Sequence, residues 1–437
     1  MRRIARRAVM GGGHGRREDR RDRPAAWPPR VPNCAVMPTP APRRQRLYRD
    51  GALADGRSDR LRRGVSILIA DGRVAWIRPS DDEGQLDADA EVVDASGSTI
   101  VPGMVDAHSH LTMPGGAHWI DRAGDSTETL LDVAEANARL LASAGVRWAR
   151  DVGSVRRPDP DSGAERALAI GLRERWRGLR GYPHVRAAGT WVMAAGYMPA
   201  LSVEAADADQ LLAAAIAQLD DGADLVKLYL DGPERGVCPW TAGELRRVVD
   251  AVHARGARVT AHSGEYAGSR AGAQAGVDAL EHGFEIDDAT ARLMAANGVR
   301  LVATLCVLAS WRSFAHTTEL PRFVTIEGRA RTEARREAAV ASVQAARRAG
   351  VAIATGTDFG GGSTRANQLA WEVEQLVEAG LEPWEALGAA TWRGGELLGE
   401  PDAGVIREGG PADLVLVHGD PLTDPTALWR VWHASWA

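Results

Sequence analysis

Seven residues of this chain are of types and spacings that could do chemistry together. His108-Ser109-His110 closes the apolar run near 103–108. A spacing of two along a strand puts both imidazoles on one face, where they could hold one metal ion. Lys227 and Tyr229 share a face of the run near 224–230. His262 ends the run near 257–262, His282 the run near 277–282, and Asp358 follows the run near 351–357. Imidazoles with a carboxylate are the donors of a divalent-cation site. Taken singly, each of these residues reads as a core or capping group. Their joint placement at five strand ends reads as a site. His118, His184, His253 and His316 fall elsewhere.

Lys227 stands out for a second reason. The chain carries 52 arginines and this one lysine. Salt bridges and solubility accept arginine in place of lysine, but a function that needs a neutral primary amine does not, because a guanidinium stays charged. The bland reading is chance.

The elements that must position these residues follow from periodicity. Further apolar runs lie near 146–152, 185–190 and 299–304. Helix-period segments lie near 127–144, 204–221, 242–255, 267–275, 288–297, 330–348, 367–379 and 384–398. Gly145, Gly256, Gly276, Gly298 and Gly350 each sit past a helix and before a run, which is where a helix stops. Eight strands alternating with helices predict an α/β fold, a (β/α)8 TIM barrel, with a doubly wound sheet as the alternative. In a barrel the C-terminal strand ends carry the chemistry.

Before the barrel, Val65–Ala70 and Val74–Ile77 flank Asp71-Gly72, a strong hairpin signal. Strand text returns at 411–417. We therefore expect a small β-sandwich domain from residues 47–101 plus 404–437, with Trp429, Trp432 and Trp436 in its core, and the barrel over 102–403. Residues 1–46 hold thirteen arginines against three acidic residues, and seven prolines. Such a stretch cannot build a core and reads as a disordered tail. A start at Met37, or a plain tail, is preferred over a nucleic-acid or membrane-surface arm.

Composition excludes other classes. The net charge of −5 gives no broad field for nucleic acid. No apolar run approaches the ~20 residues of a membrane span. Cys34, Cys238 and Cys306 are too few and scattered for a disulfide framework or cysteine zinc cluster, and a reducing, cytoplasmic setting fits. The expected partner is a small-molecule substrate, with neither nucleic acid nor membrane. A homo-oligomer is compatible with the sequence.

His108-Ser-His110, Lys227, His262, His282 and Asp358, in this order on these runs, resemble the metal-binding set of the amidohydrolase superfamily. Val101-Pro-Gly-Met-Val-Asp-Ala-His108-Ser-His110 is similar to its opening motif. Ala275-Gly-Val-Asp-Ala-Leu-Glu-His282-Gly283 resembles its imidazolonepropionase-like and Xaa-Pro dipeptidase-like branch. The resemblance spans about residues 47–430. It implies two divalent ions, with zinc the best match to the donors and manganese or iron as alternatives. His108 and His110 would hold one ion with Asp358, and His262 and His282 the other. A CO2-derived carbamate on Lys227 would bridge them, as the dipeptidase-like side uses and imidazolonepropionases proper do not. It further implies an amide hydrolase in which Asp358 relays a proton. Tyr229 reads as either an oxyanion contact or strand packing. The implied substrate is a dipeptide or N-acyl amino acid. The alternatives are a cyclic amidohydrolase or mononuclear imidazolonepropionase-like enzyme and, in another class, a non-catalytic metal-binding protein. Many dipeptidase-like relatives carry Gly-Gly-His after the third strand, where this chain has Ala194-Ala-Gly196-Tyr197-Met198. The same carboxylate contact is therefore not implied, and Tyr197 with Tyr229 is left as the substrate-binding expectation. Gly360-Gly361-Gly362 reads as a flexible loop over the site.

Overall fold

The computed structural model describes residues 45–198 and 201–437. The Arg/Pro-rich opening, with its expected disorder and alternative start, lies outside the described residues apart from its last two positions. Arg46 already opens the first strand, Arg46–Leu53.

Both chain ends enter one sheet. Its order runs Val431–Ala434, Leu414–His418, Ser98–Pro102, Arg46–Leu53, Arg62–Ala70, Arg73–Pro79, with Glu91–Asp94 also paired to Arg46–Leu53. The hairpin forms where expected. Ala70 pairs with Arg73, and Asp71 and Gly72 both take positive φ, 54° and 73°. That is the two-residue turn whose twist matches its strands. Tyr48, Ile67, Ile100, Leu414 and Leu416 are buried together. The expected tryptophan core is reduced to Trp436, which is buried under the Arg147 guanidinium at 5.4 Å. Trp429 and Trp432 are 44% and 43% exposed. Trp432 lies on an edge strand whose alternation turns it outward, where its Nε1 donates to Ser98 Oγ at 3.1 Å.

Ten parallel strands follow among the described residues, of which eight, in chain order, match the expected runs: β1 (Met104–Ser109), β2 (Val146–Asp151), β3 (His184–Ala187), β4 (Leu225–Tyr229), β5 (Arg258–Ser263), β6 (Ala279–His282), β7 (Arg300–Val302) and β8 (Ile353–Ala354). β1 to β3 form one sheet. β4 to β8 form a second, extended by Trp191–Ala194 and Ser202–Ala205. Each strand pairs with its sequence neighbour. Isolated parallel bridges, Ala188 to Leu225 and Ser109 to Phe359, lie between the sheets. Backbone bonds accompany them, Asp224 N to Ala187 O at 2.8 Å and Ala107 N to Thr355 O at 3.0 Å.

The five junction glycines adopt φ between 69° and 76°, the left-handed stop that glycine takes without a Cβ penalty. The segment expected as one helix near 384–398 is two, Pro383–Ala389 and Trp392–Leu398. The break frees carbonyls for the sheet: Thr355 N donates to Ala389 O at 3.2 Å and Val105 N to Ala390 O at 2.8 Å. Three further helices, Leu168–Trp176, Leu305–Ser313 and the short Pro321–Val324, were not expected. Among the described residues, no helix is long and apolar enough to cross a membrane.

Candidate active site

The parallel strands carry the predicted residues to one end of the sheets. His108 lies in β1 and His110 just beyond it. Lys227 and Tyr229 lie in β4, His262 in β5 and His282 at the end of β6, while Asp358 follows β8. His108 Nε2 and His110 Nε2 stand 3.3 and 3.2 Å from Asp358 Oδ1. Their donor atoms lie within 4.8 Å of one another, close enough for one ion. The His282 ring is 4.8 Å from His108 and 4.5 Å from His262, so the imidazoles continue round the site. Tyr229 stacks on His262 at 4.2 Å, and Tyr197 lies 6.5 Å from Tyr229. Lys227 is buried, its Nζ has no hydrogen-bond partner, and it sits 5.8 Å from the centre of the Tyr229 ring.

Apart from the approach of His108 Nε2 and His110 Nε2 to Asp358, each imidazole has one nitrogen engaged by the protein. His108 Nδ1 meets Glu281 Oε2 at 2.6 Å, His110 Nδ1 meets Gly153 O at 2.7 Å, and His282 Nδ1 meets Thr304 Oγ1 at 2.8 Å. His262 is turned the other way. Its Nε2 meets Asp231 Oδ2 at 3.1 Å, and its Nδ1 is buried without a partner. A buried polar atom left unbonded costs about 1–3 kcal/mol. His262 Nδ1 and Lys227 Nζ are two such atoms at one site, and an arriving cation with a bridging anion would satisfy both. Imidazole nitrogen and carboxylate oxygen suit zinc and its neighbours.

Electrostatics favour the same use. Burial pushes the Asp358 carboxyl up, but the facing His108 and His110 imidazoles outweigh it and hold Asp358 well below the ordinary carboxylate range. Burial pulls the Lys227 amine down to about 8, against the attraction of Glu281. Burial also lowers His108 and His282, which keeps their lone pairs available. It raises the Tyr229 hydroxyl well above 10, so that group stays a donor.

The backbone is strained at the site. His282, Thr304 and Asp358 have φ of 68°, 50° and 51°. A side-chain-bearing residue there costs of order 1–3 kcal/mol, and these three include two predicted ligands and the partner of one. Gly360-Gly361-Gly362 is buried, contrary to the expected flexible loop. A Cβ on Gly361 would collide with the His110 ring, and one on Gly362 with the Asp358 carboxylate. The glycines are there for close approach. Trp191 lies 5.1 Å from the His110 ring, and Trp311 belongs to the helix Leu305–Ser313.

Residue types and spacing did not reveal Glu281, Asp231 or Arg150. Glu281 is fully buried between Arg150, Thr260 and His108, and the charges of Arg150, Lys227 and His108 overcome its burial to hold it well below its usual range. A glutamate in a fully buried four-residue strand was the available signal. Glu281→Gln removes the charge that engages His108 while keeping the shape. The expected outcome is about a 10–100-fold loss of metal affinity, read by chelator competition, with thermal melting as the check on folding.

The chain matches the Amidohydrolase family over residues 99–432 and belongs to that family. It is a hydrolase of the amidohydrolase superfamily. It is 32% identical over 371 residues to an uncharacterized protein of Mycobacterium tuberculosis, covering 83% of this chain and 88% of that one. It is 28% identical to the imidazolonepropionase of Salinispora arenicola, covering 82% and 86%. A solved Xaa-Pro dipeptidase with bound methionine superposes with a TM-score of 0.76 at 25% identity, covering 89% of this chain and 98% of that chain.

Proposed function

We propose that this protein is a binuclear metal-dependent amidohydrolase that cleaves the amide C–N bond of a small substrate, a dipeptide or N-acyl amino acid. The observation that carries the reading is Lys227, a buried amine without a hydrogen-bond partner beside four imidazoles and an aspartate. We read the two parallel sheets as a closed (β/α)8 barrel, supported by the bridges between their ends. Residues 47–101 and 404–437 form its small β domain, and a reducing, cytoplasmic setting is supported by free Cys238 and Cys306.

His108, His110 and Asp358 would hold one ion, and His262 Nδ1 and His282 Nε2 the other. When bound, the pair would supply a water acidified toward a pKa of ~7, together with polarisation of the amide carbonyl. With CO2 the neutral Lys227 amine would give a carbamate and release one proton, adding an anionic donor to the set that would hold the ions. Asp358, held ionised, accepts a proton from the attacking water and delivers it to the leaving nitrogen. The products are a carboxylate and an amine. Tyr229 donates a hydrogen bond to the oxygen that gains charge.

A pH dependence follows. With a pKa of about 8, roughly a quarter of the Lys227 amine is neutral at pH ~7.5, against ~0.1% for a free lysine near 10.4. Reactivation of metal-stripped protein is expected to need bicarbonate and, at a fixed concentration of dissolved CO2, to quicken as pH rises toward ~8. A rate indifferent to bicarbonate would remove the carbamate.

Metal content per chain, with a screen of N-acyl amino acids and dipeptides, tests the whole reading. Two ions with amide hydrolysis support it. One ion with turnover of cyclic amides favours the imidazolonepropionase-like alternative. Bound metal without turnover on the screen favours a non-catalytic metal-binding protein.

A further inference from the structure

The helix Leu305–Ser313 does not use the cap that its sequence offers. Thr304 stands at its N-cap position, where a threonine hydroxyl ordinarily accepts from the second or third N–H of the helix. Here Thr304 has φ 50° and ψ 37° and makes no such bond. Its Oγ1 is engaged instead by His282 Nδ1 at 2.8 Å. The second N–H, that of Cys306, has no partner within the helix.

Glu372 takes that N–H. It lies in the helix Leu369–Glu378, and its Oε2 accepts from Cys306 N at 2.7 Å. The Leu305 backbone acts on the same carboxyl. Glu372 is fully buried, and its Oε1 has no hydrogen-bond partner. Among the described residues it forms no ion pair. An acid is almost never buried in this way unless paired, and burial raises this one to about 8.

The helix that Glu372 caps reaches both halves of the candidate site. At its start Thr304 meets His282. Further along, Cys306 Sγ donates to Thr357 O at 3.5 Å, and Trp311 Nε1 donates to Gly362 O at 3.1 Å, on either side of Asp358. The two uses of the Thr304 hydroxyl exclude each other. To cap the helix, Thr304 would return to the extended region and turn its oxygen toward Cys306 N–H. To hold His282 it stays left-handed, which a β-branched residue resists. A carboxyl oxygen already on the Cys306 N–H removes the first use.

We propose that Glu372 is a positioning residue for the second metal ion: by occupying the Cys306 N–H it leaves the Thr304 hydroxyl to the His282 ring, whose Nε2 is then free for the ion. This rests on the reading above that gives His282 to that ion.

The test reads the zinc affinity of each site by chelator competition on the full chain, with thermal melting as the check on folding. Glu372→Met keeps the volume and removes the acceptor. It is expected to weaken the second ion about tenfold and to leave the first as it was. Glu372→Gln keeps an acceptor oxygen and should recover most of the affinity. Thr304→Val should weaken the second ion by a similar factor. Glu372→Met added to Thr304→Val should then cost nothing further, because both act through one hydroxyl. The metal-free protein supplies an independent readout. Ring 15N spectra should show His282 protonated at Nδ1 in the wild type and a mixture of tautomers in Glu372→Met. If Glu372→Met does not fold, Glu372→Asp, one methylene shorter, takes its place. Unchanged second-ion affinity in the folded variant would overturn the proposal. Equal weakening of both ions, full additivity with Thr304→Val, or no recovery in Glu372→Gln would do the same. A wild type that holds one ion removes the binuclear reading, and the tautomer spectra still judge Glu372. His282 protonated at Nδ1 in wild type and variant alike would end its positioning role.

Discussion

Lys227→Arg is expected to abolish amide hydrolysis and to lower bound metal from about two ions per chain to one or none. The substitution retains positive charge and most of the side-chain volume, so the change is chemical. A guanidinium cannot shed its proton near neutrality and cannot take up CO2. The native amine can, because burial brings it down to about 8. Loss of the proposed carbamate would remove one metal site and the acidified water, and we expect activity to fall by ~10³-fold or more, equivalent to about 4 kcal/mol in the barrier. Lys227→Ala separates loss of the bridge from loss of the fold. It leaves room for a short carboxylic acid such as propionate to stand in for the carbamate. Partial recovery of activity with added acid is expected. Full activity of Lys227→Arg with two ions bound would remove the mechanism.

Asp358→Asn should be nearly as damaging, through a different route. The amide keeps the shape and can still bond through oxygen, but it cannot accept a proton from water and return it to nitrogen. General acid–base help of this kind contributes about 10²–10⁴-fold, and kcat should carry most of the loss. The expected signature is partial retention of metal, since His108 and His110 remain, with substrate binding nearly unchanged. The wild-type carboxyl is held well below the usual range by those imidazoles. Its protonation should therefore limit the rate only in acid well below pH 4. Retention of near-full kcat by Asp358→Asn would exclude the proton relay.

Much of this organisation is legible in the chain because its causes are local. The glycines after five helices mark strand entries, since only a left-handed residue ends a helix that way at no steric cost. His108 and His110 are readable because strand alternation is local too. Lys227 is readable because every other cation is arginine. What escaped depends on residues distant in sequence. The burial of Glu281 makes sense only once Arg150, from another strand, is opposite it. The role of Asp231 needs the His262 ring turned with Nε2 outward. The break at Ala390 has only Gly388 as a local signal, and it leaves two carbonyls that accept from Val105 of β1 and from Thr355 just past β8. The Gly360–Gly362 stretch looks flexible by composition and is packed because His110 and Asp358 lie against its backbone. Trp429 and Trp432 look like core by type and are exposed, Trp429 at the end of the 3-10 turn Pro425–Trp429 and Trp432 on the edge strand Val431–Ala434.

The most direct measurement loads the metal-free protein with zinc in 13C-labelled bicarbonate, counts ions per chain, and records the carbon spectrum of the same sample. Two zinc ions and one carbamate carbon, both disappearing in Lys227→Arg, are the predicted result. A fully active enzyme with one ion and an unmodified Lys227 would contradict the account.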